Sequence, residues 1–376
     1  MINIPNCFVD MPYANFTSNK YSLPVLPLCR YGYDNFFKSI QYEFYREREF
    51  LKASNHQFYQ SVDKIDAADF ILMPLDYSRS KKVDPNICLY YENLSKQSNK
   101  ILILFHFGDG VEDINVPNSI IFRHSKYKNP LGHNKIICPP LINNLSNEHE
   151  FQCIDNFKDY SVGFVGHGVK MLEDLPPWKK FFQYAKKDYM FSILGLFNSS
   201  FLAHRSGMYF RKKTVNILRN SGISTNFLLR RFWGRGRDVR TKGLSDEFRE
   251  EFIKSIDINL FNLSIRGVGN YSFRFYEIIS AGRIPVLIDT LCPLPMEDKI
   301  NYDDFCVIVN HSDLKNTPDI IASWYKSKTN KQLVESQKKA KKVFKENLDF
   351  IVFFDKFFKN EIFQIIDEKK IRKDVW

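Results

Sequence analysis

Asn270-Tyr-Ser-Phe-Arg-Phe-Tyr-Glu-Ile-Ile-Ser-Ala-Gly-Arg-Ile-Pro-Val-Leu-Ile-Asp289 reads as a loop, a short helix, a tight turn and a buried strand. Ser272 follows Gly267, Gly269 and Asn270, so it stands where a helix N-cap belongs. Gly282 ends the helix. Ile284–Ile288 is a short apolar run of the kind buried on both faces of a parallel sheet, with Pro285 best placed at its start. Helix, glycine turn, buried strand and a closing acid, Asp289, make an α/β unit. Ligands of such sheets gather at the carboxyl ends of the strands. Just upstream, Leu263-Ser-Ile-Arg-Gly-Val-Gly269 is a second apolar segment, which would deliver Arg266 and two glycines to the same edge.

The charges on the helix suit an anion. A helix N-terminus presents N–H groups and a partial positive charge. Arg274 in the first turn is unfavourable for the helix alone, but a bound diphosphate would reverse that penalty, because a guanidinium pairs bidentately with phosphate. Glu277 lies three residues on, on the same face, with a rise of roughly 4.5 Å between them. That is about the step from a diphosphate to its ribose, whose hydroxyls a carboxylate can accept. An ordinary i,i+3 surface pair between Arg274 and Glu277 is the other reading of the same spacing.

Arg266-Gly267, Gly269, Ser272, Arg274-Phe275-Tyr276-Glu277 and Gly282-Arg-Ile-Pro-Val286 together resemble the signature of the exostosin family, glycosyltransferase family 47. The chain departs from it at Ile278, Ile279 and Arg283. Softer likenesses are Ala67-Ala-Asp-Phe-Ile-Leu-Met-Pro74 and Ser161-Val-Gly-Phe-Val-Gly-His167, so that the resemblance spans most of residues 60–325. It implies an α/β protein of the GT-B fold, two Rossmann-like domains facing a cleft. It also implies an inverting transfer from a nucleotide-sugar donor, a UDP-sugar first, to a glycan hydroxyl. The donor-binding candidates are Arg266, Gly267, Ser272, Phe273, Arg274 and Glu277.

Bulk properties agree with two domains. A chain of 376 residues, 44% hydrophobic, can bury two cores. The net charge of +11 points to anionic partners without choosing among nucleotide, membrane surface, acidic glycan and nucleic acid. Seven scattered cysteines, an odd number with no C-x-x-C, argue against a disulfide framework and for a reducing compartment. The N-terminal Met1-Ile-Asn-Ile-Pro-Asn-Cys-Phe-Val-Asp10 carries no basic region and no long apolar run. The expectation is a cytoplasmic protein, with peripheral membrane contact as an option. The sequons at Asn15 and Asn270 are read as chance.

Periodicity predicts strands at Ala67–Leu75, Lys100–Phe107, Ser119–Phe122, Lys135–Cys138, Tyr160–Val165 and Ile223–Leu229. It predicts helices at Leu89–Ser98, Ser206–Asn220 and Ser245–Ser255, and a helical chain after Asp319. Asn143–Lys158, polar and aperiodic, is the candidate linker. The expected domains are residues 1–155, on the acceptor side, and 156–348, on the donor side. If the fold is the GT-B one that the resemblance implies, a tail at 349–376 should cross back to the first domain.

Phe105-His-Phe-Gly-Asp-Gly110 ends a predicted strand with a histidine and an acid. An inverting transfer needs a base for the acceptor hydroxyl, so His106 and Asp109 are the catalytic candidates, with His124 a weaker third. An Asp-Gly turn beside a core histidine is the plain alternative. Gly166, in the glycine loop Gly163–Gly168, and Arg230, which opens the arginine-rich run to Arg240, are further donor candidates. That run could also bind nucleic acid through stacking and phosphate contacts, but no recognition motif accompanies it and nucleic acid is not the expected partner. No Asp-x-Asp triplet occurs, so neither a metal nor any other cofactor is expected. A catalytically inactive relative serving as a partner subunit fits the same residues.

Overall fold

The computed structural model describes residues 4–9, 52–53, 56–128, 134–156, 160–167, 186–230 and 242–371. Gly168, the run 231–240, Asn15 and Cys29 lie outside the described residues. The chain divides into two compact units, Met1–Asn143 with Glu346–Trp376, and Asn144–Lys345.

Unit 1 is built on a sheet of parallel strands: β1 (Asn6–Phe8), β2 (Gln60–Ser61), β3 (Phe70–Asp76), β4 (Ile101–His106), β5 (Ser119–Arg123) and β6 (Lys135–Ile137). Their order is β2-β1-β3-β4-β5-β6. β3, β4 and β5 are buried throughout, as parallel strands covered on both faces must be. Alternate residues divide between the two faces. Ile71, Met73, Leu75, Leu102, Leu104 and Ile121 share a core with Ile87 and Tyr91 of the helices that follow β3. These are α1 (Tyr77–Val83), capped by the Asp76 carboxylate, and α2 (Pro85–Ser98), capped by Asp84 with proline in its first turn. That cap and proline start the helix four residues ahead of the apolar periodicity.

Unit 2 carries five parallel strands: β7 (Ser161–His167), β8 (Ser224–Arg230), β9 (Phe261–Ser264), β10 (Ile284–Asp289) and β11 (Val307–Asn310), in the order β11-β10-β9-β7-β8. Its helices are α3 (Lys186–Phe197), α4 (Gly207–Arg219), α5 (Lys242–Ile258), α6 (Phe273–Ser280), α7 (Thr317–Lys326) and α8 (Asn330–Val343). Val162, Phe164, Phe261, Leu263, Val286, Ile288, Val307 and Val309 make the core with Phe210, Val215 and Leu218 of α4 and Ile321 of α7. Each sheet has the alternating α/β architecture expected from the sequence.

The other face of unit 1's sheet takes the end of the chain: α9 (Phe350–Lys356), a π-helical turn and α10 (Ile362–Ile371). Phe358 stacks on Phe70 at 5.4 Å, and Phe122 meets Phe354 at 4.9 Å and Phe357 at 4.7 Å.

Asn143–Lys158 is not a linker over its described part. From Asn144 it belongs to unit 2, and the first boundary falls at 143/144 in place of 155/156, the second at 345/346 in place of 348/349. Sparse anchors hold it where periodicity shows none. Leu145 and Phe151 enter a core with Val165, Phe252 and Ile278. The Leu145 N–H donates to Ser280 Oγ at 3.1 Å, and Gln337 bonds both the N–H and the carbonyl of Ile154.

Candidate functional site

In unit 2 the first strand in sequence, β7, lies between β8 and β9. The connections therefore depart in opposite directions at the β7/β9 pair, where doubly wound sheets open a crevice beyond the carboxyl ends. Residues just beyond β9 are Ile265, Arg266 and Gly267, and Gly166 lies at the end of β7. Helices α4 and α6 direct their N-termini to this edge.

Close backbone approach builds the place. Gly207 opens α4, and the carbonyl oxygens of Arg266 and Gly267 stand where a side chain on it would go. Asn270 is fully buried and ties its loop to the chain beyond β10: its Nδ2 donates to the carbonyls of Thr290 at 3.1 Å and Leu291 at 3.2 Å, and Thr290 Oγ1 donates to its Oδ1 at 2.6 Å. Its burial leaves no place for a glycan. Ser272 holds the N-cap position of α6 in extended conformation, yet its side chain makes no capping hydrogen bond. Phe273 opens the helix, half-buried, with its ring 5.3 Å from Tyr271.

Three arginines converge there. Arg266 is buried and donates to the carbonyls of Ala203, at 3.3 Å, and Arg205. Arg274 lies over the rings of Phe164 at 4.9 Å and Phe252 at 5.5 Å. Arg211, from α4, is buried and donates to the Arg266 carbonyl at 3.1 Å. Burial pushes the Arg211 guanidinium down to about 10, and the charges of Arg274 and Arg266 push the same way. Burial, Arg266, Lys187 and His311 likewise hold the His204 imidazole below its ordinary value. An anion entering this cluster would relieve like-charge repulsion and gain charge-assisted hydrogen bonds.

Glu277 is also buried, one turn along α6, but its partner is Arg249 of α5, at 3.1 Å, and not Arg274. Arg249 in turn grips both oxygens of Glu148, at 3.0 and 2.9 Å. Burial would lower the Arg249 pKa; Glu148 and Glu277 outweigh it and raise it. Gly166 leaves room for the ring of Phe164, which a side chain there would strike, so its visible role is to let that ring lie against Arg274. Arg230 is held by Glu251 and by the Phe248 carbonyl at 3.1 Å, over the Phe248 ring. Arg283 is a buried partner of Asp257 at 2.8 Å.

In unit 1, β3 and β4 end side by side on Asp76 and His106. His106 is buried; its Nε2 is 3.0 Å from the Gly110 carbonyl and its Nδ1 is 3.9 Å from Asp76 Oδ1, beyond hydrogen-bond reach. Asp76 accepts the N–H groups of Arg79 at 3.0 Å and Phe107 at 2.8 Å. Burial would raise its carboxyl; His106 and the two N–H groups outweigh it and hold the pKa below its ordinary value. Asp109 is exposed, and its carbonyl accepts Ser125 Oγ at 3.2 Å. His124 is buried, with Nδ1 3.1 Å from the Cys138 carbonyl and its ring stacked on Phe107.

Sequence reasoning missed Arg211 and Asp76. Arg211 reads as one of several cations on a basic amphipathic helix, and only the landing of α4 on the Arg266 loop distinguishes it. Asp76 carries a signal that was there to read: an acid directly after a buried strand and ahead of a helix is an N-cap. Among the described residues no group of three or more His, Cys, Asp and Glu could hold a metal ion, and no helix is long and apolar enough to cross a membrane. The described cysteines, Cys7, Cys88, Cys138, Cys153, Cys292 and Cys306, are free thiols.

No family model and no curated protein matches the chain. Among solved structures it is similar to Anabaena Alr3699/HepE, crystallised in complex with UDP-glucose, at 8% identity and a TM-score of 0.36 over 97% of this chain and 100% of that one. It is similar to AviGT4, a glycosyltransferase involved in avilamycin A biosynthesis, at 11% identity and 0.34 over 97% and 98%. It is similar to TarM at 12% identity and 0.29, over 73% of this chain and 58% of TarM.

Proposed function

We propose that the chain is an inverting, exostosin-like glycosyltransferase of GT-B type, which moves a sugar from a nucleotide-sugar donor, a UDP-sugar first, to a glycan hydroxyl without a divalent metal. The observation that carries the reading is the meeting of Arg211, Arg266 and Arg274 at the switch point of unit 2's sheet. A nucleoside diphosphate leaving group develops charge as the bond from the sugar's anomeric carbon to its phosphate oxygen breaks, and guanidiniums already in place stabilise it without reorganising. Glu277, a turn further along α6, is assigned to the ribose, with Arg249 holding its carboxylate. The acceptor's proton is assigned to His106 or Asp109.

The test is a thermal-shift screen with UDP, GDP, dTDP and CMP, on the wild type and on Arg274→Ala. One nucleoside diphosphate should raise the melting temperature of the wild type, since a ligand at about 100 times its Kd adds roughly 2.7 kcal/mol, and the variant should not respond. Activity with the identified donor should survive EDTA. Equal shifts in both proteins would remove Arg274 from the site, and no shift with any nucleotide would overturn the reading.

A further inference from the structure

Helix α3, Lys186-Lys-Asp-Tyr-Met-Phe-Ser-Ile-Leu-Gly-Leu-Phe197, turns its apolar side outward. Tyr189 is 62% exposed, Met190 48%, Ile193 42%, Leu196 84% and Phe197 85%. At about 100° per residue these five fall within an arc of roughly 120°. The opposite side is the one fixed to the protein. Asp188 accepts the N–H of Ser206 at 2.5 Å and its hydroxyl at 2.7 Å, the Phe191 ring stacks on His204 at 5.3 Å, and Leu202 fills the place a side chain on Gly195 would need. The helix is thus held by one face while it presents the apolar one. A contiguous exposed apolar patch on a firmly held element marks an interaction surface.

Charge chooses the occupant. Lys186 and Lys187 are exposed at the start of α3, and Lys186 falls within the apolar arc one turn ahead of Tyr189 and Met190. The helix's one acid, Asp188, is turned inward onto Ser206. The chain carries a net charge of +11, so a second copy would be repelled and an anionic surface attracted. An apolar stripe with lysines at its edge is how a helix lies in the interface of a bilayer.

We propose that α3 is a membrane-docking helix, which seats Tyr189, Met190, Ile193, Leu196 and Phe197 in the headgroup region of an anionic lipid surface with Lys186 at the phosphates. The surface is part of the same framework as the arginine cluster, because Arg266 bonds the carbonyls of Ala203 and Arg205 just beyond α3. It does not depend on the nucleotide reading.

The test is co-sedimentation of the whole protein with vesicles of phosphatidylcholine alone and of phosphatidylcholine mixed with phosphatidylglycerol. The wild type should partition at least about tenfold more strongly onto the anionic vesicles. The double variant Leu196→Glu with Phe197→Glu, and the single variant Lys186→Glu, should lose that binding with the melting temperature unchanged. Leu196→Ser is the milder variant should the first pair fail to fold. The proposal is overturned if the wild type stays in the supernatant with both vesicles, or if the variants bind as the wild type does. It is equally overturned if sedimentation velocity without lipid shows a dimer that Leu196→Glu with Phe197→Glu abolishes, since a second copy would then own the face.

Discussion

Arg211 and Arg283 are two buried arginines with opposite surroundings. Arg283 has Asp257 beside it, whereas the charges acting most strongly on Arg211 are those of Arg266 and Arg274. The sign of the linkage follows. Burial and then its neighbours' charges depress the folded pKa of Arg211 to about 10, so its protonated form is disfavoured by folding, and the penalty is fully present at neutral pH and relieved as pH rises past that value. Arg211→Met should therefore cost less stability than Arg283→Met without ligand, even though it removes the bond to the Arg266 carbonyl, while its nucleotide affinity falls by about 1.5–3 kcal/mol, as for loss of a charge-assisted contact. Burial depresses the Arg283 pKa as well, but Asp257 opposes that shift, so Arg283→Met, which strips Asp257 of its bonds from the guanidinium, should lose about 1.5–3 kcal/mol of stability with affinity intact. Calorimetric titration and thermal unfolding on the same preparations separate the two. Arg266, Arg274 and Glu277 could be singled out in the sequence because a local pattern of glycines, cap position and helix spacing frames them. Arg211 could not, because its neighbours are 55 residues or more away in the chain.

Among elements, Gly207 decides how closely α4 approaches the Arg266 loop. Gly207→Ala would press a methyl group into two carbonyl oxygens, at a cost of about 1–3 kcal/mol. It should weaken nucleotide binding as well, because α4 carries Arg211; a variant with wild-type affinity and melting temperature would show that the loop can yield. Asp76 joins three elements in unit 1: it ends β3, caps α1 and takes the N–H just beyond β4. Burial opposes its charge, but His106 and the two N–H groups prevail and the folded pKa is depressed. Its stabilisation is therefore present above the ordinary carboxylate range and lost as pH falls through the folded value. Below about pH 4 the wild type should lose its advantage over Asp76→Asn, seen as converging melting temperatures. Strands β3, β4, β7 and β10 were legible because buried parallel strands leave dense apolar runs. β1, β2 and β11 are two to four residues long, too short for any period to register, and the segment from Asn144 escaped because two apolar anchors make no pattern.

Across the whole molecule, unit 1 is completed by residues from the far end of the chain. Phe354 is fully buried, with aromatic contacts to Phe58, Phe105 and Phe122. Phe354→Ala should cost about 3–5 kcal/mol, read as a lower urea midpoint of unfolding. The sequence could suggest that the tail returns to the first domain only through the family resemblance; five phenylalanines between Phe350 and Phe358 announce burial but not against what. The split has a consequence in time. A ribosome making roughly 5–20 residues per second spends about 10–40 s on residues 144–345. Throughout that interval unit 1 has its sheet strands but not the helices that cover Phe70, Phe105 and Phe122, while unit 2, continuous in sequence, can fold as it emerges. The first half to be made is thus the last to be finished. A premature stop just after Leu348 would spare unit 2 and strip from the older unit the rings that lie on Phe70, Phe105 and Phe122, making it a substrate for chaperones and proteases.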